Sequence, residues 1–271
     1  MTDALQGRVA VVTGANHGIG AATAALLADR GAAVVATYLR VDDVGEQAGT
    51  PASYGQQRAR TARDVVGVIR TAGGRAISLE ADLVDPAAPG RIFDAAEVEF
   101  GPVEMLINNA SSCRQDSFVA VATDSVGRRP DQVTVESITH NLSVDVFAAG
   151  LLIAEFATRH IARKATWGRV VGLTSGGRQG FPGEVSYGAA KAASENYTMS
   201  AATELAPYGV TANVVYPPVT DTGWVTDEVR AFVDASTEHW HIAQPEEVAE
   251  VIGYLCSDAA HLLTGNVLRL R

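Results

Sequence analysis

Val9-Ala10-Val11-Val12-Thr13-Gly14-Ala15-Asn16-His17-Gly18-Ile19-Gly20 is the stretch that decides the fold. Its opening is a short apolar β-branched run, the pattern of a strand buried on both faces. Three glycines follow at G-x-x-x-G-x-G spacing, and from Ile19 to Arg30 the chain is Ala- and Leu-rich with helical spacing. Glycines permit a tight turn and let backbone approach a pyrophosphate, whose charge meets the free N–H groups of the helix start. A purely structural strand-to-helix turn is the plainer reading of such a loop. Its place after the first strand and before a helix favours a nucleotide.

The same alternation runs through the rest of the chain. Strand candidates are Val9–Thr13, Ala33–Tyr38, Arg75–Glu80, Val103–Asn108, Gly168–Thr174, Thr211–Tyr216 and Asn266–Leu270. Helical patterns cover Ile19–Arg30, Arg58–Thr71, Pro86–Phe100, Asp131–Arg163, Val185–Ala206 and Pro245–Ser257. Repeated β-α alternation predicts an α/β fold with a doubly wound parallel sheet. No linker or repeat divides residues 1–271, so one domain is expected. Val41–Gln57 and Ser111–Pro130 lack periodicity and read as long loops at the carboxyl edge of the sheet, where such folds bind ligands.

Composition narrows the function. The chain is 47% hydrophobic, ample for a large core, with a formal net charge of −10 and no basic block. That argues against nucleic acid or an anionic membrane as partner. Cys113 and Cys256 fit no metal or redox spacing and read as free thiols in a reducing compartment. No secretory signal is visible at the N-terminus, and Val146–Ile153, the longest apolar run, is short for a membrane span. A soluble cytoplasmic protein is expected.

A second motif carries the chemistry. The chain has only two lysines, Lys164 and Lys191, among 21 basic residues. Lys191 stands four residues after Tyr187, so the two share a helix face. A phenol titrates near pH 10, and a neighbouring cation draws it toward the working range of an acid–base catalyst. Alone, this spacing is within reach of chance.

Thr13-Gly14-x-x-x-Gly18-Ile19-Gly20, Asn108-Asn109-Ala110, a serine ahead of the tyrosine, and Tyr187-x-x-x-Lys191 stand in the order found in the short-chain dehydrogenase/reductase family, which this chain resembles from Gly7 to Val267. Within that family the look is that of a 3-oxoacyl-[acyl-carrier-protein] reductase. The resemblance implies a Rossmann fold with seven parallel strands, a bound NAD(H) or NADP(H), and hydride transfer between nicotinamide and a carbonyl or secondary alcohol. It also implies a catalytic set of Asn141, Ser175, Tyr187 and Lys191. Thr174 is the alternative to Ser175, since twelve residues separate Ser175 from Tyr187 and Thr174 would lengthen that interval by one. Ser186 reads as a bystander, and His140 as turned away.

For the cofactor, the resemblance implies contacts from Gly14, Asn16, His17, Gly18, Ile19 and Gly20, and from Asp82 and Leu83 at the adenine. Asn109, Ala110 and Ser111 follow at the adenosine ribose, Ser111 standing where the family has glycine. Tyr187 and Lys191 would meet the nicotinamide ribose; Pro217, Thr220 and Thr222 would meet the carboxamide end, with Pro218 in place of the family's turn glycine. The end of the second strand reads Tyr38-Leu39-Arg40 without the acid that marks NAD users, so NADP(H) is favoured, with Arg40 on its 2′-phosphate. The substrate pocket is expected between 111–114, 176–184 and 222–240. Arg114 and Arg178 are candidates for an acidic substrate, Phe181 and Trp224 for apolar walls. Apolar residues around much of 131–163 and 185–206 point to a homodimer or homotetramer. Rival readings are a redox-neutral enzyme (dehydratase or epimerase) on the same fold, and a nucleotide-binding regulatory protein.

Overall fold

The computed structural model describes residues 4–41, 51–119, 123–124, 127–176, 180–237 and 239–271. Seven strands form its central sheet: β1 (Val9–Val12), β2 (Ala33–Tyr38), β3 (Arg75–Glu80), β4 (Met105–Asn108), β7 (Gly168–Leu173), β8 (Val210–Tyr216) and β9 (Val267–Arg269). Their order is β3-β2-β1-β4-β7-β8-β9 and every pairing is parallel. All seven expected strands are present. The order reverses between β1 and β4, and the crevice at their carboxyl ends is where a doubly wound sheet receives its ligand.

The side chains of β1 and β2 explain why these runs are strands. Ala10, Val12, Val34 and Ala36 pack into one core, while Val9, Val11, Ala33 and Val35 pack into the other, a period of two. The first core is closed by Leu27 of α1 (Gly18–Asp29), Val66 and Ile69 of α3 (Arg63–Thr71), and Ile252 and Leu255 of α9 (Pro245–Leu255). The second is closed by Ile92 and Phe93 of α4 (Ala88–Glu99) and by Leu152 and Phe156 of α6 (Ala149–Ala162). Each such fully buried side chain contributes about 1.5–3 kcal/mol.

Four expected boundaries shift. Part of the loop expected over 41–57 is helix: α2 (Ala52–Arg58) stands apart from α3, and residues 42–50 lie outside the described residues. Asp116–Ser117 (β5) pairs with Asp131–Gln132 (β6) inside the second irregular stretch, which extends that stretch past Pro130. The helix expected from Asp131 starts instead at α5 (Val135–Leu142), where Thr134 caps it by accepting from Ser137 N–H and the Ser137 hydroxyl accepts from Thr134 N–H. It then passes through a π-helical segment, Ser143–Ala148, into α6. α8 (Asp227–Ala235) is an unexpected helix, capped by Thr226 with Asp227 and Glu228 in its first turn.

The continuous helical run Val135–Ala162 is, by length and composition, apolar enough to cross a membrane; 44% of its apolar window is buried against the rest of the fold. It carries the buried polar residues Asn141 and Asp145 into the interior.

Candidate active site

The glycine cradle after β1 is built first by Thr13. Its hydroxyl accepts from the N–H groups of Asn109 (3.0 Å) and Ala110 (2.9 Å) and donates to the Ile107 carbonyl. Asn109 returns the tie, its amide donating to the carbonyls of Thr13 (2.7 Å) and Gly14 (3.0 Å). The ends of β1 and β4 are thereby locked together, and the glycines become obligatory. Gly14 has φ +64°, and a Cβ there would stand 2.9 Å from Ala110 Cα. Gly18 has φ +56° and faces the Thr222 side chain, while a Cβ on Gly20 would run into the Gly14 carbonyl and the Asn109 amide.

Beside Gly18, the imidazole of His17 is held neutral. Burial, reinforced by the Arg58 charge, lowers its pKa to about 4. Its Nδ1 is buried without a hydrogen-bond partner. A glycine cradle with an orphaned ring nitrogen beside it fits a dinucleotide's phosphates, with Ile19 and Gly20 opening the helix beneath.

α2 spans this crevice, which the sequence does not announce. Tyr54 meets the His17 ring edge-on at 5.9 Å. Asn16 donates to the Arg60 carbonyl at 3.1 Å, so its side chain anchors the segment after α2 rather than standing open. On the far side, the Gln57 side chain lies against Gly223.

At the end of β2, Tyr38 is buried in the core rather than lining a pocket. Arg40 is exposed and pairs with Glu80 at 3.0 Å, the residue that faces Tyr38 in the β2–β3 register. An acid is therefore present at this corner, supplied by β3 rather than β2. Asp82 closes a turn by accepting from Val84 N–H at 2.9 Å, and Leu83 is buried behind it. Past β8, Pro217 is half-buried; Thr220 donates to the Pro218 carbonyl at 2.9 Å, and its own carbonyl takes the Trp224 indole N–H at 2.9 Å. The turn that Pro218 alters is thus held by side-chain bonds.

The candidate reacting groups sit on α7 (Val185–Glu204) and the end of β7. Tyr187 lines the crevice, half-exposed to solvent yet surrounded by protein, with Phe181 stacked obliquely 6.1 Å away. Lys191 is buried, its Nζ 5.5 Å from the Tyr187 ring centre and donating to the Leu173 carbonyl at 3.1 Å. Ser175, two residues past Leu173, is half-buried, whereas Thr174 is buried and continues the ladder to Val215. Next to it Gly176 lies against Gly188, and its carbonyl accepts from the Tyr216 hydroxyl. Arg178 lies outside the described residues.

The Asn141 side chain is engaged by the loop after β4. Its amide donates to the carbonyls of Arg114 (3.0 Å) and Ser137 (3.0 Å) and its oxygen accepts from Arg114 N–H (2.9 Å), so it holds the loop after β4. The residue that reaches Lys191 is Asp145, in the π-helical segment, with Oδ1 2.8 Å from Nζ. Its other oxygen accepts from the Ser111 hydroxyl (3.2 Å) and Ser112 N–H (3.0 Å). Arg114 bridges Asp131 and Glu136 instead of facing the crevice.

The expected lowering of the tyrosine's pKa is absent. Burial holds Tyr187 well above the usual phenol range; Cys113, Asp145 and Glu184 add to this, opposed by a hydrogen bond with Ser111. Glu184 is itself pushed up by burial, against the pull of Arg128, which it meets at 2.8 Å. Cys113 keeps solvent access yet is raised as well, first by the protein packed around it and then by Glu184.

Ser186 has a structural role. Asp116, wholly buried, accepts from Ser186 N–H (2.8 Å) and from the hydroxyls of Ser186 (2.5 Å) and Ser137 (2.6 Å), fixing the start of α7 one residue before Tyr187. Among the described residues, no cluster of His, Cys, Asp and Glu could hold a metal.

The comparisons agree with this geometry. A family model described as enoyl-(acyl carrier protein) reductase matches residues 14–270. The chain is 35% identical to a cis-4-hydroxycyclohexanecarboxylate dehydrogenase of Sinomonas cyclohexanicum, covering 99% of this chain and 96% of that one. It is 31% identical to the 3-oxoacyl-[acyl-carrier-protein] reductase of Escherichia coli, over 98% and 96% of the two chains. A Burkholderia cenocepacia short-chain dehydrogenase, solved in complex with NADP, superposes with a TM-score of 0.80 at 29% identity, over 98% and 97% of the chains.

Proposed function

The chain belongs to the short-chain dehydrogenase/reductase family of oxidoreductases, and from that premise we propose an NADP(H)-dependent enzyme that interconverts a small-molecule ketone, cyclic or 3-oxoacyl, and its secondary alcohol. The observation that carries this reading is the placement of Tyr187 and Lys191 on the same sheet edge as the Gly14–Gly20 cradle, with the end of β7 between them.

When bound, the nicotinamide supplies or accepts the hydride. Gly14, Gly18, Ile19, Gly20 and His17 would hold its pyrophosphate, Asn109 and Ala110 the adenosine ribose, Leu83 and Asp82 the adenine, and Thr220 and Thr222 the carboxamide end. Ser175 donates a hydrogen bond to the substrate oxygen, and Tyr187 gives that oxygen its proton in reduction and takes it back in oxidation. Phe181 and Trp224 shield the site from water. The choice of NADP(H) rests on Arg40, whose exposed pair with Glu80 is weak and readily exchanged for a 2′-phosphate. The NADP-bound Burkholderia relative supports the same choice.

Residues 1–271 act as one domain. Large apolar side chains exposed on α5, the π-helical segment, α6 and α7, among them Ile138, Phe147, Leu151 and Tyr197, support a homodimer or homotetramer. The unpaired Cys113 and Cys256 support a cytoplasmic location.

The test is NADPH oxidation by the purified protein against a panel of cyclic ketones and 3-oxoacyl thioesters. Turnover is expected with at least one, and Tyr187→Phe should lower it by about 10²–10⁴-fold. NADPH binding without turnover across the panel would refute the enzyme and leave a nucleotide-binding regulator.

A further inference from the structure

The helix face that meets Lys191 carries a carboxylate, Asp145, only 2% exposed. Its two oxygens are divided. Oδ1 forms the ion pair with Lys191 at 2.8 Å, without a well-directed hydrogen bond. Oδ2 takes the Ser111 hydroxyl and Ser112 N–H. Ser111 is also the neighbour that opposes the rise at Tyr187. Asp145 therefore ties Lys191 to the start of the loop after β4. Beneath the pair lies a cavity of about 10 Å³ bordered by Asp145, Lys191, Asn108 and Ser194.

A lysine four residues after a tyrosine favours the phenolate only while its charge is uncompensated. Here a buried carboxylate compensates it at contact distance. The other charged or titratable groups facing the phenol are Cys113 from the loop after β4 and Glu184 from the turn before α7, the latter bridged to Arg128. These add no cation that Glu184 and Asp124 do not already balance.

We infer that Asp145 is a positioning residue that raises the proton affinity of Tyr187 by cancelling the Lys191 charge at contact distance. Tyr187 is then a proton-bearing acid across the neutral range, suited to reduction of a carbonyl. Oxidation of the alcohol, which needs the phenolate, is confined to alkaline pH. The catalytic consequence rests on the reductase reading above; the proton affinity itself does not.

The experiment is an ultraviolet phenolate titration of the cofactor-free protein, with Tyr187→Phe subtracted to isolate one tyrosine among seven. In the unsubstituted protein Tyr187 is expected to titrate above the free phenol's pH of about 10. In Asp145→Asn, which keeps the shape and an acceptor for Ser112 N–H, the midpoint should fall by at least about one pH unit, a tenfold change in proton affinity. The alkaline limb of alcohol oxidation should move by the same amount. A Tyr187 midpoint below pH 8 in the unsubstituted protein, or an unmoved midpoint in a folded Asp145→Asn, overturns the inference. The first measurement stands even where the variant does not fold. Absence of turnover on every carbonyl, with the titration as expected, would sink the reductase reading alone.

Discussion

Asp116 offers the sharpest test of how the site is held. It is wholly buried and its carboxylate accepts three hydrogen bonds, two from Ser186 and one from Ser137. Asp116→Ala leaves those donors without that acceptor. The Ser137 hydroxyl retains the Thr134 carbonyl at 3.1 Å, so two donors, both on Ser186, are stranded. At about 1–3 kcal/mol per stranded buried donor the loss is about 2–6 kcal/mol. Relief of the carboxylate's own burial trims this to about 3 kcal/mol. At ~2–4 °C per kcal/mol, melting should fall by roughly 10 °C. Asp116→Asn keeps an acceptor for Ser186 N–H and lets both hydroxyls rotate to receive the amide, so its cost should be near 1 kcal/mol. Because Ser186 precedes Tyr187, a loosened helix start also displaces the phenol, and a misplacement of about 1 Å costs on the order of 10²-fold in rate. Urea midpoints and NADPH-linked kcat/KM of the two variants are the assay. An Ala variant that melts within about 3 °C of the parent with full activity would refute the anchor.

Three further outcomes follow from the same geometry. Gly20→Ala drives a methyl group into the Gly14 carbonyl and the Asn109 amide, so NADPH affinity by fluorescence titration should fall at least about tenfold, with the circular dichroism spectrum retained. His17 has a folded pKa of about 4 against 6.5 when free, so the unfolded chain takes up the proton first as pH falls. Stability is therefore whole above pH 6.5 and is lost between 6.5 and 4, by at most about 3 kcal/mol given the ring's partial solvent access; the difference in urea midpoint between parent and His17→Gln should change with pH only between those limits and be a constant offset above and below them. Arg40→Ala should raise the KM for NADPH about tenfold and leave that for NADH unchanged, an outcome that a purely structural Arg40–Glu80 pair would not produce.

Much of the fold was legible because it rests on local pattern. The period-two burial of Val9–Val12 and Ala33–Ala36 is written in their side chains, and the glycine spacing after β1 marks a tight strand-to-helix turn. α2 was not legible: Ala52–Arg58 contains Gly55 and Ser53 and buries no residue fully, so its helix is supported by contacts of Tyr54 and Gln57 across the crevice that no local pattern encodes. Nor was Ser186. A serine beside Tyr187 gains its anchoring role only from Asp116, 70 residues earlier in the chain.

Asn141 and Asp145 show where reading the sequence reaches its limit. They stand four residues apart, on one helix face, and both are buried. Motif order favours the asparagine, yet nothing in the spacing says which of the two lies level with Lys191. That depends on the axial register of the helix, which is set at its start by the Thr134–Ser137 capping pair and retimed by the π-helical turn from Ser143 to Ala148. The register brings Asn141 to the Arg114 backbone and carries Asp145 one turn further, to the ammonium. A neutral amide at that place would leave Lys191 free to acidify Tyr187, whereas a carboxylate cancels it. The same tyrosine–lysine spacing therefore specifies either a ready base or a retained acid, and the residue that decides between them lies 42 positions before the tyrosine.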